Sequence, residues 1–198
     1  MPASQQSFAP NPMPTPDTPQ AVLAVARPVS QSLDGSMGAV GVAAVVRSLS
    51  GVSPHWLAGY AKSDDMARAA MVQHLLTLHR EASPQLLVWS NGMDALKHVP
   101  AARLNGGMRS GKNKRTPFAA YALFDSVEAA LRRGEWHLQA FGGGEEPGDY
   151  DTAQRLAQRA LWVARERAVE FPSHRKDHPD WWMLEDGSTP NPLAERNE

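Results

Sequence analysis

Cysteine is absent from the 198 residues. Its absence excludes a disulfide framework, a thiolate nucleophile and any zinc or iron–sulfur site built on cysteine. No apolar run approaches the roughly 18 residues needed to span a bilayer. The N-terminal MPASQQSFAPNPMPTPDTPQ lacks a basic stretch followed by an apolar one, so it does not read as a signal peptide. Neither sign of charge dominates, since 20 Lys and Arg stand against 21 Asp and Glu. Overall charge therefore implies no polyanionic partner, and evidence for one must be local. These absences point to a soluble, cytoplasmic protein with no membrane partner. Hydrophobic residues at 42% and charged residues at 21% are ordinary globular usage, enough for a packed core.

Composition divides the chain into three parts. Residues 1–21 are rich in Pro, Ser and Gln and have too few large apolar groups to offset the entropy of ordering, so disorder is expected. Residues 22–170 read as the folded domain. Residues 171–198 read as an irregular acidic tail, because Pro172, Pro179, Pro190 and Pro192 forbid a long helix. A His174/His178 pair on a zinc-binding helix is disfavoured for the same reason. The stretch 31–170 holds 16 Lys and Arg against 14 Asp and Glu, so the domain is mildly basic.

Periodicity assigns the elements. GAVGVAAVVR, 38–47, predicts a buried strand paired through a turn with Trp56–Ala61. A helix is expected from about Asp65 to Arg80, with Ala67, Ala70, Met71, Leu75 and Leu78 at helical spacing. QLLVWS, 85–90, is apolar on both faces, as central parallel strands require. A short helix over 92–98 and a stretch without periodicity over 99–117 follow. PFAAYALFDSVEAALRRG, 117–134, has Pro early and Gly late and predicts a helix. Residues 135–141 alternate as a strand. A last helix opens at Asp151, with Gln154 completing a capping box. For the first strand the candidate is PVSQSLDGS, 28–36. Trp56, Trp89, Trp136 and Trp162 fall inside elements and are expected in the core, whereas His74 and His79 are expected half-buried or at the surface of the first long helix.

This order resembles the ribonuclease H family. Asp34-Gly35-Ser36 resembles the end of that family's first strand, Ala58-Gly59-Tyr60 the end of its third, and LVWSNGMDALKHV, 87–99, its fourth strand and following helix. EWHLQAFGG, 135–143, resembles its fifth strand and DTAQRLAQRA, 151–160, its last helix. The resemblance implies an α/β domain with a five-stranded mixed sheet flanked by helices. It also implies a two-magnesium phosphodiesterase, in which carboxylates hold two hard cations around the scissile phosphate. The family draws those carboxylates from the first strand, the first helix, the end of the fourth strand and the start of the last helix. Carried over by spacing, the positions are Asp34, Ala69, Asn91 and Gln154. Only Asp34 keeps a carboxylate and is the candidate metal ligand. Asn91 offers a neutral oxygen at the candidate catalytic position. Asp151 is the candidate displaced carboxylate, which its place as a helix cap explains equally well. The resemblance thus implies no cofactor, or magnesium if displaced carboxylates restore the site.

RLNGGMRSGKNKRTP, 103–117, carries Arg103, Arg109, Lys112, Lys114 and Arg115 with no acid. Flexible cations of this kind bind phosphate backbones by counterion release, so these five are the candidate nucleic-acid contacts, with an RNA–DNA hybrid or duplex backbone as partner. Arg132 and Arg133 extend the patch or complement a helix dipole. Trp181 and Trp182 form an apolar knot in the polar tail that packs back on the domain or docks on a protein partner. Three functions are therefore open: a nucleic-acid-binding, catalytically impaired domain acting in a nucleoprotein complex, an active hybrid nuclease, and an adaptor that uses the fold as scaffold.

Overall fold

Strand β1, Gln20–Ala26, lies at the centre of the sheet, with β2, Gly38–Ser48, antiparallel on one side and β4, Leu86–Ser90, parallel on the other. A computed structural model describes residues 14–28, 38–79, 85–110, 115–118, 120–142, 146–168 and 181–182. β3, Gly51–Ala61, pairs antiparallel with β2 along their whole length. After helix α1, Asp64–His79, comes β4, then a 3-10 turn over Asp94–His98 that runs into the short helix α2, Val99–Leu104. β5, Met108–Ser110, and β6, Arg115–Pro117, form a separate antiparallel pair. Helix α3, Tyr121–Arg132, leads to β7, Trp136–Ala140, which pairs parallel with β4, and α4, Tyr150–Ala168, follows. The order across the sheet is β7-β4-β1-β2-β3, and the two residues of β8, Trp181–Trp182, add to the outer edge of β3 opposite Ala58 and Gly59.

The mixed sheet flanked by helices is the expected architecture, but its first strand is not PVSQSLDGS. The central strand is QAVLAVA, which begins at Gln20, inside the segment that composition assigns to disorder. A strand covered on both faces needs a continuous apolar run and shows no alternation. The Asp34-Gly35 pair lies between β1 and β2, outside the described residues. β3 is also longer than expected. It includes Pro54, which β2 tolerates because β3 lies at the sheet edge there. Pro117 ends β6 instead of opening a helix, and α3 begins at Tyr121. The aperiodic stretch contains α2 and the β5–β6 hairpin.

Alternation along the strands sorts the core into two layers. Leu23, Val40, Val42, Val46, Leu57, Leu86 and Val88 meet α1 and α3 through Met71, Leu75 and Phe124. Trp136 is fully buried in this layer and its indole N–H donates to Val127 O at 3.0 Å. On the opposite face Ala24, Ala26, Ala39, Ala43 and Ala58 meet Ala153, Leu156, Ala157, Ala160 and Ala164 of α4. The approach is so close that a Cβ on Gly41 would lie 2.0 Å from Ala157 O. Trp162 is not core: it is 61% exposed on the solvent side of α4. No helix among the described residues is long and apolar enough to cross a membrane.

Candidate functional site

Helix α4 packs over β1, β2 and β3, and among the described residues the same face of β4 and β7 is largely uncovered. The uncovered part is a cleft of about 800 Å³ lined by Gln20 and Val22 of β1, Arg47 of β2, Trp89 of β4, Gln139 and Ala140 of β7, Phe141, and the segment Glu146–Asp149 before α4. Parallel pairing sets Val22 beside Trp89 and Trp89 beside Gln139, so three strands each contribute one residue to the floor. The Trp89 indole N–H donates to Gln20 Oε1 at 3.3 Å. Phe141 meets the Tyr150 ring edge-on at 5.1 Å. At the rim, Arg47 donates to both Asp149 oxygens at 2.8–3.1 Å, and this bonding raises the guanidinium pKa above its ordinary value.

The positions from which the family draws its carboxylates fall in β1, in α1, after β4 and at the start of α4, and β1 meets the cleft at Gln20, the opposite end of that strand from Arg27. β1 contains no acidic residue and runs into Arg27. Arg27 pairs with Asp64 in the first turn of α1 and donates to Ala61 O at 3.5 Å. One turn along α1, Arg68 holds Asp65 at 3.0 Å and lies 3.9 Å from Asp64. The other Asp65 oxygen accepts the Ala95 N–H at 2.8 Å, which ties α1 to the 3-10 turn. The two acids of α1 are thus engaged by two arginines and a backbone amide. Ala69 is fully buried on the core face of α1. Asn91 is exposed just after β4, and Asp151 is exposed in the first turn of α4. The Asp151–Gln154 capping box does not form, because α4 opens at Tyr150 and Gln154 Oε1 is buried without a partner. Asp34 lies outside the described residues.

A divalent pair needs several anionic oxygens converging on one point. Among the described residues no group of three His, Asp or Glu is placed to hold a metal ion. In the cleft the acids are Glu146 and Asp149, and Arg47 already engages Asp149. The described donors do not fit magnesium.

The basic stretch splits into a fixed base and the β5–β6 pair. Arg103, read from sequence as a free cation, bonds Asp125 at 2.6–2.7 Å and Glu128 at 2.6 Å on α3. These two acids stand 22 and 25 residues away, which is why sequence proximity hid them. Glu128, itself buried, also holds Arg132 at 2.8 Å, so Arg132 is a structural partner as well as a terminal cation. Gly106 and Gly107, at φ 61° and 81°, turn the chain from α2 into β5. Gly107 N–H donates to Ala102 O at 2.8 Å and Phe118 N–H to Gly107 O at 3.0 Å. Phe118 is buried against Phe124 and closes the base of the hairpin. Arg109 and Arg115 lie in its two strands. Lys112 and Lys114 fall between them in sequence, outside the described residues.

Sequence reasoning missed the cleft. Trp89 reads as core because it sits in an apolar strand, Gln20 falls in a segment assigned to disorder, and nothing local pairs Arg47 with Asp149, 102 residues away.

No family model matches the chain, and no curated protein matches it. Solved structures do. A foamy viral protease–reverse transcriptase in complex with RNA/DNA hybrid aligns with a TM-score of 0.54 and 14% identity, over 82% of this chain and 22% of that one. The chain therefore spans about a fifth of that structure's length. The foamy viral protease–reverse transcriptase in complex with dsDNA aligns at 0.50 and 13% identity, over 74% of this chain and 94% of that one. The solution structure of the PFV RNase H domain aligns at 0.49 and 14% identity, over 74% and 94%. Similarity at this identity establishes an arrangement of elements and leaves the chemistry to the residues present.

Proposed function

We propose that this chain, whose fold is ribonuclease H-like, binds nucleic acid through the β5–β6 hairpin and does not cleave it. The observation that carries the reading is the hairpin itself. Four cations, Arg109, Lys112, Lys114 and Arg115, occur with no acid on a segment whose base is fixed by Arg103, Asp125 and Glu128. Cations clustered on one segment neutralise phosphates without fixing a base sequence, and phosphate contacts position rather than specify. An A-form-like duplex hides its deep groove from side chains, so backbone and shape are what such a hairpin can read. That the neighbours of this fold include a complex with RNA/DNA hybrid and one with dsDNA supports the same partner class. The absence of cleavage follows from charge. The strand that should bring the first carboxylate brings none, and the nearest acids of α1 are matched by Arg27 and Arg68. Two divalent ions would meet cations where they need anions.

The test is the dissociation constant against salt for an RNA–DNA hybrid and for an unrelated sequence. Each phosphate contact contributes about 0.7–0.9 to the log–log slope, so changing all four cations to Ala should flatten it by roughly 2 to 3 units if three make contact. Affinity should fall alike for both sequences, with the melting temperature unchanged. An unchanged slope, or no binding at low salt, ends the nucleic-acid reading and leaves an adaptor built on the same scaffold. Magnesium-dependent cleavage abolished by Asp34→Asn and by Asp151→Asn would instead establish an active, displaced site.

A further inference from the structure

The hairpin leaves the cleft on the α4 side of the sheet without a role. We propose that the cleft seats one unpaired nucleotide of a strand bound by this protein, with its base against Trp89 and its phosphate at Arg47. The inference deepens the nucleic-acid reading and rests on it.

The lining has the three components that a nucleotide requires. Trp89 and Phe141 supply aromatic surface, and base–aromatic stacking is indifferent to base identity because every base has a π-face. The Trp89 N–H is already satisfied by Gln20, so stacking leaves no polar atom of the indole stranded. Gln139, beside Trp89 in the sheet and exposed, offers a donor and an acceptor to a base edge. Arg47 is the one cation among the lining residues, and its side chain is 60% exposed. A cleft of about 800 Å³ is within the range of small-ligand sites. A base stacked inside a duplex does not reach such a site, which is why the occupant is an unpaired nucleotide.

Asp149 makes the assignment testable in both directions, because it competes with phosphate for Arg47. The experiment uses the full chain with a short single-stranded DNA and the same oligonucleotide carrying abasic residues. Trp89→Leu should weaken binding of the intact strand by about 5- to 150-fold. It should leave the abasic strand and the salt slope unchanged, whereas Trp89→Phe should retain most of the affinity. Asp149→Asn should tighten binding and steepen the slope by about 0.7. The Trp89 indole N–H resonance of the unmodified protein should move on adding the intact strand, a readout that stands if Trp89→Leu does not fold. A stationary resonance at saturation, or intact-strand affinity untouched by both Trp89→Leu and Asp149→Asn, overturns the inference. In that event binding that still depends on the hairpin cations preserves the nucleic-acid reading. No binding of either strand at low salt overturns the inference alone if the RNA–DNA hybrid still binds, and removes both readings if the hybrid does not bind.

Discussion

On the α1/α3 side of the sheet larger side chains outnumber alanine two to one among the buried core residues described, whereas on the α4 side alanine supplies nine of the twelve. The difference sets how each layer can respond to change. Valine, leucine and methionine interdigitate and have rotamers with which to absorb small errors. Alanine and Gly41 have none, so α4 rests with its backbone nearly on β2. The same contrast explains the cleft. β4 and β7 present Leu87, Trp89, His137 and Gln139 to the α4 side, all at least partly exposed. Residues of that bulk and polarity hold a helix off, so the close-packed alanine strip ends at β1 and the floor beyond it stays open.

The contrast breaks most sharply at Gly41. Gly41→Val puts new carbons where Ala157 O and Leu161 N already lie, at 2.0 and 2.3 Å. Both obstacles are backbone, so α4 must move as a unit. The expected loss of stability is at or beyond the upper end of the ~1–3 kcal/mol typical of overpacking. Denaturant unfolding measures it, and a loss below about 1 kcal/mol would mean that α4 does not sit this close. On the other side, Glu128→Gln removes the buried charge shared by Arg103 and Arg132 while keeping the shape. A cost of about 1.5–3 kcal/mol is expected, the range for hydrogen bonds to charged groups. Charge reversal at the distant Asp94–Lys97 pair, which is exposed, should cost almost nothing by comparison.

A smaller effect should appear with pH, again on the α1 side. His55 of β3 lies edge-on to His74 and His79 of α1, with ring centroids 6.1 and 6.0 Å apart, and Ser53 Oγ lies 3.1 Å from its Nε2. Burial, then repulsion from His74 and His79, lowers its pKa from 6.5 to about 4, and burial lowers that of His74 as well. Between those values the unfolded chain binds protons that the folded one refuses. Stability is therefore full above pH 6.5 and declines as the pH falls toward 4. A melting-temperature profile should show this decline, and His55→Gln should flatten it. A profile that is level over this interval would contradict the packing of the three rings.

Much of this molecule is determined locally. The small, β-branched run at 38–47 makes a strand in any setting that buries it, and the periodic apolar positions of α1, α3 and α4 fix helices with one inward stripe. The acid-free cationic stretch is likewise visible in sequence, because it depends only on what is present within fifteen residues. Local pattern misplaced β1, since its first residues group with the Pro-rich N-terminal segment and the Asp34-Gly35 pair offers a more familiar strand end. It also misjudged Arg103 and Trp162. Whether a cation is free depends on acids two dozen residues away, and whether a tryptophan is buried depends on which side of α4 meets the sheet. The cleft lies wholly beyond sequence: it exists where three strands, the end of β2 and the start of α4 converge, and the ion pair at its rim joins residues 102 positions apart. Pattern along the chain sets the elements because each residue's local preference acts within a few positions, while the site is set by tertiary packing because its members meet only after the sheet has formed.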